Sequence, residues 1–109
     1  MENKVDDRET RTEETYSASW EGITLTITWT PVWAVMNDGA YCVADLEIKS
    51  ENRAELPITK TGYRSHFVQR DDVEKRGGPV AYAMAWLDHA AKSSEWKARQ
   101  AKVRQLSLF

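Results

Sequence analysis

The sequence is poor in the features that mark secreted or membrane proteins. Its single cysteine, Cys42, excludes an internal disulfide framework. No apolar run reaches the length that crosses a membrane, and the first fifteen residues, MENKVDDRETRTEET, are too charged for a secretory leader. The net charge of −2 provides no overall attraction to nucleic acid or to an acidic membrane surface. We therefore expect a protein of the reducing cytoplasm with no membrane partner.

The sequence also lacks the arrangements that carry catalysis or bind metals. Cys42, His66 and His89 do not have the spacing of metal ligands. No nucleophile elbow, phosphate loop or paired-carboxylate arrangement is present. Asp88 and His89 are neighbours on a predicted helix, where side chains at i and i+1 diverge. We therefore expect no catalytic residue, no metal site and no cofactor, and a protein that is not an enzyme.

The 109 residues, of which 41% are hydrophobic and 29% charged, are typical of one small domain. Residues 1–15 contain six acids and three bases, and Val5 is their only aliphatic side chain after Met1. Such a segment cannot bury enough apolar area to offset its chain entropy, so it is predicted to be a disordered charged arm. Residues 16–103 are predicted to form the domain, and residues 104–109 a C-terminal peptide.

Two stretches, GITLTITWT and AYCVADLEIK, alternate with the period of half-buried strands. Their core-facing residues are predicted to be Ile23, Leu25, Ile27 and Trp29 in the first stretch and Cys42, Ala44, Leu46 and Ile48 in the second. Pro31 should end the first strand, and Asn37-Asp38-Gly39 is a hairpin signal. Residues 56–59 suit an edge strand because they include Pro57. Residues 63–68 are a further strand or a loop, and residues 69–78 a loop or one helical turn.

From Pro79 onward the pattern is helical, because apolar and small residues recur every 3.6 positions. The members of this stripe are Val80, Ala83, Met84, Leu87, Ala90, Ala91, Ser94, Ala98 and Ala101. Trp96 lies off the stripe, whereas Trp29 and Trp86 are expected to fill the core. The simplest architecture is an α+β fold, in which a small antiparallel sheet of three or four strands carries one long C-terminal helix on a face.

The last five residues are Gln105, Leu106, Ser107, Leu108 and Phe109. On an extended helix Gln105 would face the core and Leu106 would point away, so this segment departs from the packing pattern. Its sequence, QLSLF, resembles at all five positions the consensus peptide by which bacterial polymerases and repair proteins bind the sliding clamp of the replicase. A chance match is expected on the order of once per million positions.

The resemblance implies that the bacterial DNA polymerase sliding clamp is the partner. Leu108 and Phe109 would fill a hydrophobic pocket, Leu106 would add an apolar contact, and the amide of Gln105 would hydrogen-bond at a separate subsite. Ser107 occupies the tolerant position. Because a short peptide loses entropy when it is ordered, we expect micromolar affinity, roughly −7 to −8 kcal/mol. The alternative is that the tail folds back as a plug of its own core.

Two further groups of residues are candidate contacts. Lys92, Arg99 and Lys102 share one side of the predicted helix and would face DNA near the clamp, since a clamp encircles DNA. Alternatively, these cations complement the helix C-terminus and keep the surface soluble.

The second group lies in LPITKTGYRSHF, residues 56–67, which is similar to segments of small uncharacterised phage and plasmid proteins. Here Tyr63, Arg64, Ser65 and His66 combine side chains that bind phosphate or carboxylate. The alternative is a strand with one aromatic side chain in the core.

These observations predict a non-enzymatic adaptor or modulator of DNA replication or repair, encoded by a phage or other mobile element, that binds the clamp and competes with polymerase. One alternative is a nucleic-acid-binding module that uses the basic helix and exposed aromatic residues. Another is an inhibitory binding module that acts through residues 63–78.

Overall fold

The structure, a computed structural model, describes residues 12–107. Its elements are β1 (Glu14–Trp20), β2 (Ile23–Met36), β3 (Tyr41–Ser50), a 3-10 helix (Glu51–Arg53), β4 (Tyr63–Gln69), α1 (Arg70–Lys75), α2 (Pro79–Ala90) and α3 (Ser94–Ser107). The four strands form one antiparallel sheet in the order β1-β2-β3-β4. The predicted α+β fold with a small antiparallel sheet is confirmed.

The alternation of β2 and β3 places their apolar residues on one face, as predicted. The register pairs Ile27 with Ile48 and Trp29 with Leu46, and all four side chains are buried. The expected strand end at Pro31 is wrong, because β2 continues to Met36 through a register shift between Thr30 and Ala34. A proline has no N–H to donate to the ladder, and the irregularity accommodates it within the strand.

The hairpin between β2 and β3 turns at the predicted residues. Asn37, Asp38 and Gly39 all have positive φ angles, of 53°, 54° and 92°. Asn, Asp and Gly tolerate this conformation better than other residues, and its twist matches that of the flanking strands.

The outer segments differ in part from the predictions. β1 begins at Glu14, two residues before the predicted boundary at Tyr16, and residues 1–11 of the predicted arm lie outside the described residues. Residues 56–59 form an isolated bridge between Leu56 and Thr59, not an edge strand. The sequence left open whether the next two segments are a strand or a loop, and a loop or a helical turn. In the structure, residues 63–69 are a strand and residues 70–75 are a short helix.

The predicted single long helix is wrong, because the first helix ends at Ala90 and a separate helix begins at Ser94. The hydroxyl of Ser93 accepts a hydrogen bond from the backbone N–H of Trp96 at 3.1 Å, which caps a new helix. In the sequence this cap is hidden among the small residues of the stripe.

The break changes the face that the C-terminal helix turns to the core. The stripe holds in α2, where Ala83 and Leu87 are fully buried. In α3, however, Ala98 and Ala101 are exposed, and Trp96, predicted to lie off the stripe, is 8% exposed and belongs to the core. The prediction treated this region as one continuous helix. It failed because the side chains of α3 start at a different rotation about the helix axis from those of α2.

The helices cover one face of the sheet and leave the other, here called the open face, to solvent. Val73 of α1, Leu87 of α2 and Trp96 of α3 join the strand residues in one core. Tyr63 and Phe67 of the open face are 45% and 53% exposed. Among the described residues, no helix is both long and apolar enough to span a bilayer.

Candidate functional site

α3 packs against the domain through aromatic and charged side chains near its beginning. The Trp96 ring lies 6.1 Å from the Trp20 ring, and the guanidinium of Arg99 lies 5.5 Å from the Trp96 ring centroid. Beyond these contacts residues 101–105 are all exposed, and Val103 retains 55% of its accessible surface. Residues 101–105, in the second half of α3, are therefore accessible to solvent.

The C-terminal peptide continues directly from these exposed residues. α3 runs through Ser107, so residues 104–107, predicted as a separate peptide, are its last turn, and Gln105 is exposed. Leu108 and Phe109 lie outside the described residues.

A groove of about 390 Å³ lies between β1 and α3, and its lining includes Trp20, Trp96, Gln100 and Arg104. Ser107 is eleven residues beyond Trp96, or about 16 Å along the helix axis, and Arg104, three residues before it, still borders the groove.

The three predicted basic contacts do not form one stripe. Lys92 lies in the turn before α3, so the helix break separates it from Lys102. The Nε atom of Arg99 is 2.9 Å from a carboxylate oxygen of Glu55, and its Nη1 atom is 3.6 Å from Glu95. The Nε–H is not aimed at its acceptor, so the contact with Glu55 is an ion pair without a hydrogen bond. Arg99 is therefore already engaged within the domain.

The predicted ligand group in residues 63–66 is divided between the two faces of β4. Successive side chains of a strand point to opposite faces. The register places Arg64 opposite Ile48 and His66 opposite Leu46, on the helix-covered face, and Tyr63 and Ser65 on the open face. The four side chains therefore do not converge on one ligand.

On the helix-covered face, Arg64 and His66 meet residues from the helical half of the chain. Together with Arg76, Tyr82 and Trp86 they form a group that we call the β4–α2 cluster. The His66 Nε2 atom is 3.3 Å from the Tyr82 hydroxyl, and its ring lies 4.6 Å from the Trp86 ring. The guanidinium of Arg64 is 5.5 Å from the Trp86 ring centroid, and that of Arg76 is 5.9 Å from Tyr82.

The protonation of His66 follows from this environment. Burial lowers its pKa, the positive charge of Arg64 lowers it further, and Asp45 opposes the shift. The ring is therefore neutral near pH 7 and adds an aromatic surface to the cluster. Arg64 and His66 were predicted from the sequence as ligand-binding residues, whereas Arg76, Tyr82 and Trp86 were not. A signal was present, since Tyr82 and Trp86 are four residues apart on one side of a predicted helix.

The open face carries two neighbouring carboxyl groups, those of Asp45 and Glu47. Asp45 is 4% exposed and accepts a hydrogen bond from the hydroxyl of Ser65 at 2.9 Å. Burial raises the pKa of Glu47, and the neighbouring Asp45 carboxyl raises it further. The strand pattern had already placed both acids on one face. Within residues 12–107, no three metal-ligating side chains come together.

The comparison with protein families gives one match. A family model described as the KlcB third domain matches residues 13–96, more than three quarters of the chain. The matched range spans the sheet and its helices through Trp96, and it ends before the exposed half of α3. No curated protein and no solved structure matches the chain. On this family match, the chain belongs to the KlcB third-domain family.

Proposed function

We propose that this chain is a non-enzymatic adaptor or modulator of DNA replication or repair that binds the bacterial sliding clamp through Gln105–Phe109. The observation that carries the proposal is that the QLSLF motif begins at the end of a helix whose residues 101–105 are exposed. A linear peptide motif must be accessible to reach a pocket on another protein. The exposed residues 101–105 of α3 lead directly into the motif and support that access.

Clamp binding in an extended conformation requires the last turn of α3 to open. The last four carbonyl groups of a helix have no intrahelical partner, and the terminal residues fray readily. Opening residues 104–107 therefore costs little, and the expected affinity stays micromolar. The hydrophobic contacts of Leu106, Leu108 and Phe109 supply most of the binding free energy.

The family match supports a division of labour between domain and tail. Residues 13–96 match a domain described as the third domain of a protein, and the peptide motif lies outside that match. We infer that the tail attaches the chain to the clamp and that this attachment positions the domain beside the clamp. Because polymerase binds the same clamp pocket, the chain competes with it, and a mobile element would gain a means of modulating host replication.

The experiment is a calorimetric titration of a purified bacterial sliding clamp with the full chain. Phe109→Ala removes the pocket anchor, and Ser107→Ala is the matched control at the tolerant position of the same peptide. We expect micromolar affinity for the unmodified chain and for Ser107→Ala, and at least a 30-fold loss for Phe109→Ala, about 2 kcal/mol or more. Equal binding by the two variants, or no binding by the full chain, would contradict the proposal.

A further inference from the structure

The α2 residues of the β4–α2 cluster lie on a second stripe of this helix, at the edge of the core. Tyr82, Ala85, Trp86 and His89 follow the i, i+3, i+4, i+7 spacing of one helix side. This side is turned away from the buried residues Ala83 and Leu87. Tyr82 and Trp86 are only partly buried, so their rings are not fully used within the domain.

Within residues 12–107, the two arginines of this cluster, Arg64 and Arg76, have no carboxylate partner, whereas Arg70 and Arg99 each have one. Arg70 pairs with Glu74 at 2.8 Å, and Arg99 pairs with Glu55. Within the described part of the chain, the side chain of Arg76 contacts the Tyr82 ring and no carboxylate. Arg64 donates one hydrogen bond, from Nη1 to the carbonyl of Ile58 at 3.0 Å, and has four further N–H groups. Two cations therefore lie beside partly buried aromatic rings, and no acid of the described residues pairs with them.

A shallow cavity of about 180 Å³ opens on this stripe and is lined by Arg76, Tyr82, Ala85, Trp86 and His89. At roughly 30 Å³ per water molecule this is the space of about six waters, enough for a planar ring but small for a folded ligand. Tyr82, Trp86 and Arg76 line this cavity directly, and the guanidinium of Arg64 adjoins it through the Trp86 ring, 5.5 Å from its centroid. The geometry suits a ligand that alternates flat rings with negative charges.

We propose that the β4–α2 cluster binds single-stranded nucleic acid. A base stacks on the Tyr82–Trp86 side of the cavity, and the flanking phosphates pair with Arg64 and Arg76. Stacking on aromatic rings together with backbone-tracking cations is the general mode by which single strands are bound. A base in a duplex has both faces covered by its neighbours, so the aromatic half of this site selects the unpaired strand.

This inference does not depend on clamp binding. Its residues lie within the matched domain, before the exposed half of α3. It also replaces the basic stripe of Lys92, Arg99 and Lys102, which the structure divides, as the nucleic-acid contact. A chain that lacks residues 105–109 should therefore retain the activity, so failure of one proposal leaves the other intact.

The test is fluorescence anisotropy with the full chain and a labelled mixed-sequence DNA 12-mer, with an RNA 12-mer and a DNA duplex as further arms. We expect dissociation constants in the range of about 1–100 µM for the single strands at low salt, with the duplex at least 10-fold weaker. Two phosphate contacts predict that the logarithm of affinity falls with the logarithm of salt concentration with a slope of about −1.4.

Charge reversal at two exposed cations provides a matched comparison. Arg76→Glu alters the cluster, and Lys102→Glu makes the same charge change on α3. We expect Arg76→Glu to weaken single-strand binding at least 10-fold and to bring the salt slope to about −0.7 or shallower, whereas Lys102→Glu changes affinity less than about 2-fold. A larger loss for Lys102→Glu, or tighter binding of the duplex, would overturn the proposal.

A second measurement needs no variant. During titration of the full chain with the DNA 12-mer, the NMR signals of the Trp86 indole and of the Arg76 side chain should shift together. The Trp96 indole, which is buried against Trp20, should remain in place. No binding by the unmodified chain, or shifts confined to α3, would refute the site.

Discussion

Deletion of the C-terminal peptide tests directly whether the tail is presented or buried. If Leu106, Leu108 and Phe109 plugged the core, their removal would expose a cavity and cost about 5–9 kcal/mol, given about 1.5–3 kcal/mol for each buried apolar side chain. That is a large part of the stability of any domain of this size. The exposure of residues 101–105, which lead into the tail, argues instead that the tail contributes almost nothing to stability.

We therefore expect the chain lacking residues 105–109 to unfold within about 0.5 kcal/mol of the full chain. With about 4–8 °C per kcal/mol for a domain of this length, the midpoint should shift by less than about 4 °C. Thermal unfolding followed by circular dichroism, with scanning calorimetry as a check on two-state behaviour, measures this shift.

Leu87→Ala, at a fully buried position of α2, is the positive control for this assay. It should cost about 2–5 kcal/mol and lower the midpoint by at least about 8 °C. A fall of about 20 °C on deletion of the tail would refute the presented-tail interpretation and establish the core plug. The clamp proposal would then lose its structural basis.

Three further predictions concern the fold and the open face. Ser93→Ala removes the cap of α3 and should destabilise the domain by about 0.5–2 kcal/mol, measured by urea unfolding, with no change in clamp affinity. Gly62→Ala should cost more than about 2 kcal/mol, because a Cβ atom there would lie 2.5 Å from the Ser50 hydroxyl and 2.7 Å from the Arg53 backbone. Gly39→Ala, with a similarly positive φ but open space around it, should cost only about 1 kcal/mol, and equal costs would contradict the steric argument. Glu47→Gln should raise stability near pH 7 by up to about 1 kcal/mol, and the gain should vanish below the ordinary Glu pKa of 4.5.

The sign of the Glu47 prediction follows from its raised pKa. The folded protein binds the Glu47 proton more tightly than the unfolded chain, so the wild type loses stability as the pH rises from the ordinary value through the raised one. A glutamine cannot ionise and does not take part in this loss. Unfolding free energies of the two proteins across pH 3–8 measure the difference, and a gap that is independent of pH would show that the carboxyl pair is not the cause.

The sheet was accessible from sequence because its signal is local. The alternation that buries Leu25 and Ile27 on β2, and Leu46 and Ile48 on β3, is a property of consecutive residues, and the Asn37-Asp38-Gly39 turn fixes the pairing between them. The prediction of a single helix failed where one residue satisfied two local rules at once. Ser93 fits a small-residue stripe as well as it fits a helix cap, and only the structure shows that the cap ends the first helix.

The candidate sites were less accessible because they depend on residues distant in sequence. Arg64 and His66 were identified as ligand-binding types, but their partners Tyr82 and Trp86 lie at least sixteen residues later, on a helix. Which face of β4 meets that helix follows from its register with β3, and sequence alone does not supply that register. The tail motif differs from these sites because it is a linear peptide. Its five consecutive residues can be recognised in the sequence without knowledge of the fold.

The two proposals together describe a small domain with a tether at one end and a single-strand site on its helical side. The cluster residues Arg64, Arg76 and Trp86 all lie before the distal half of α3, so a bound clamp would not cover them through the tail alone. Proteins that act near a replicase meet single-stranded DNA. A clamp-bound chain would hold the β4–α2 cluster at high local concentration near such strands.

The measurement that tests the central claim most directly is displacement of a polymerase peptide from the clamp. A fluorescent peptide carrying the polymerase's own clamp-binding motif is bound to the purified clamp, and the full chain or the chain lacking residues 105–109 is added while anisotropy is followed. We predict complete displacement by the full chain at micromolar concentrations and none by the shortened chain. Retention of the peptide at saturating full chain, or equal displacement by both chains, would contradict the account.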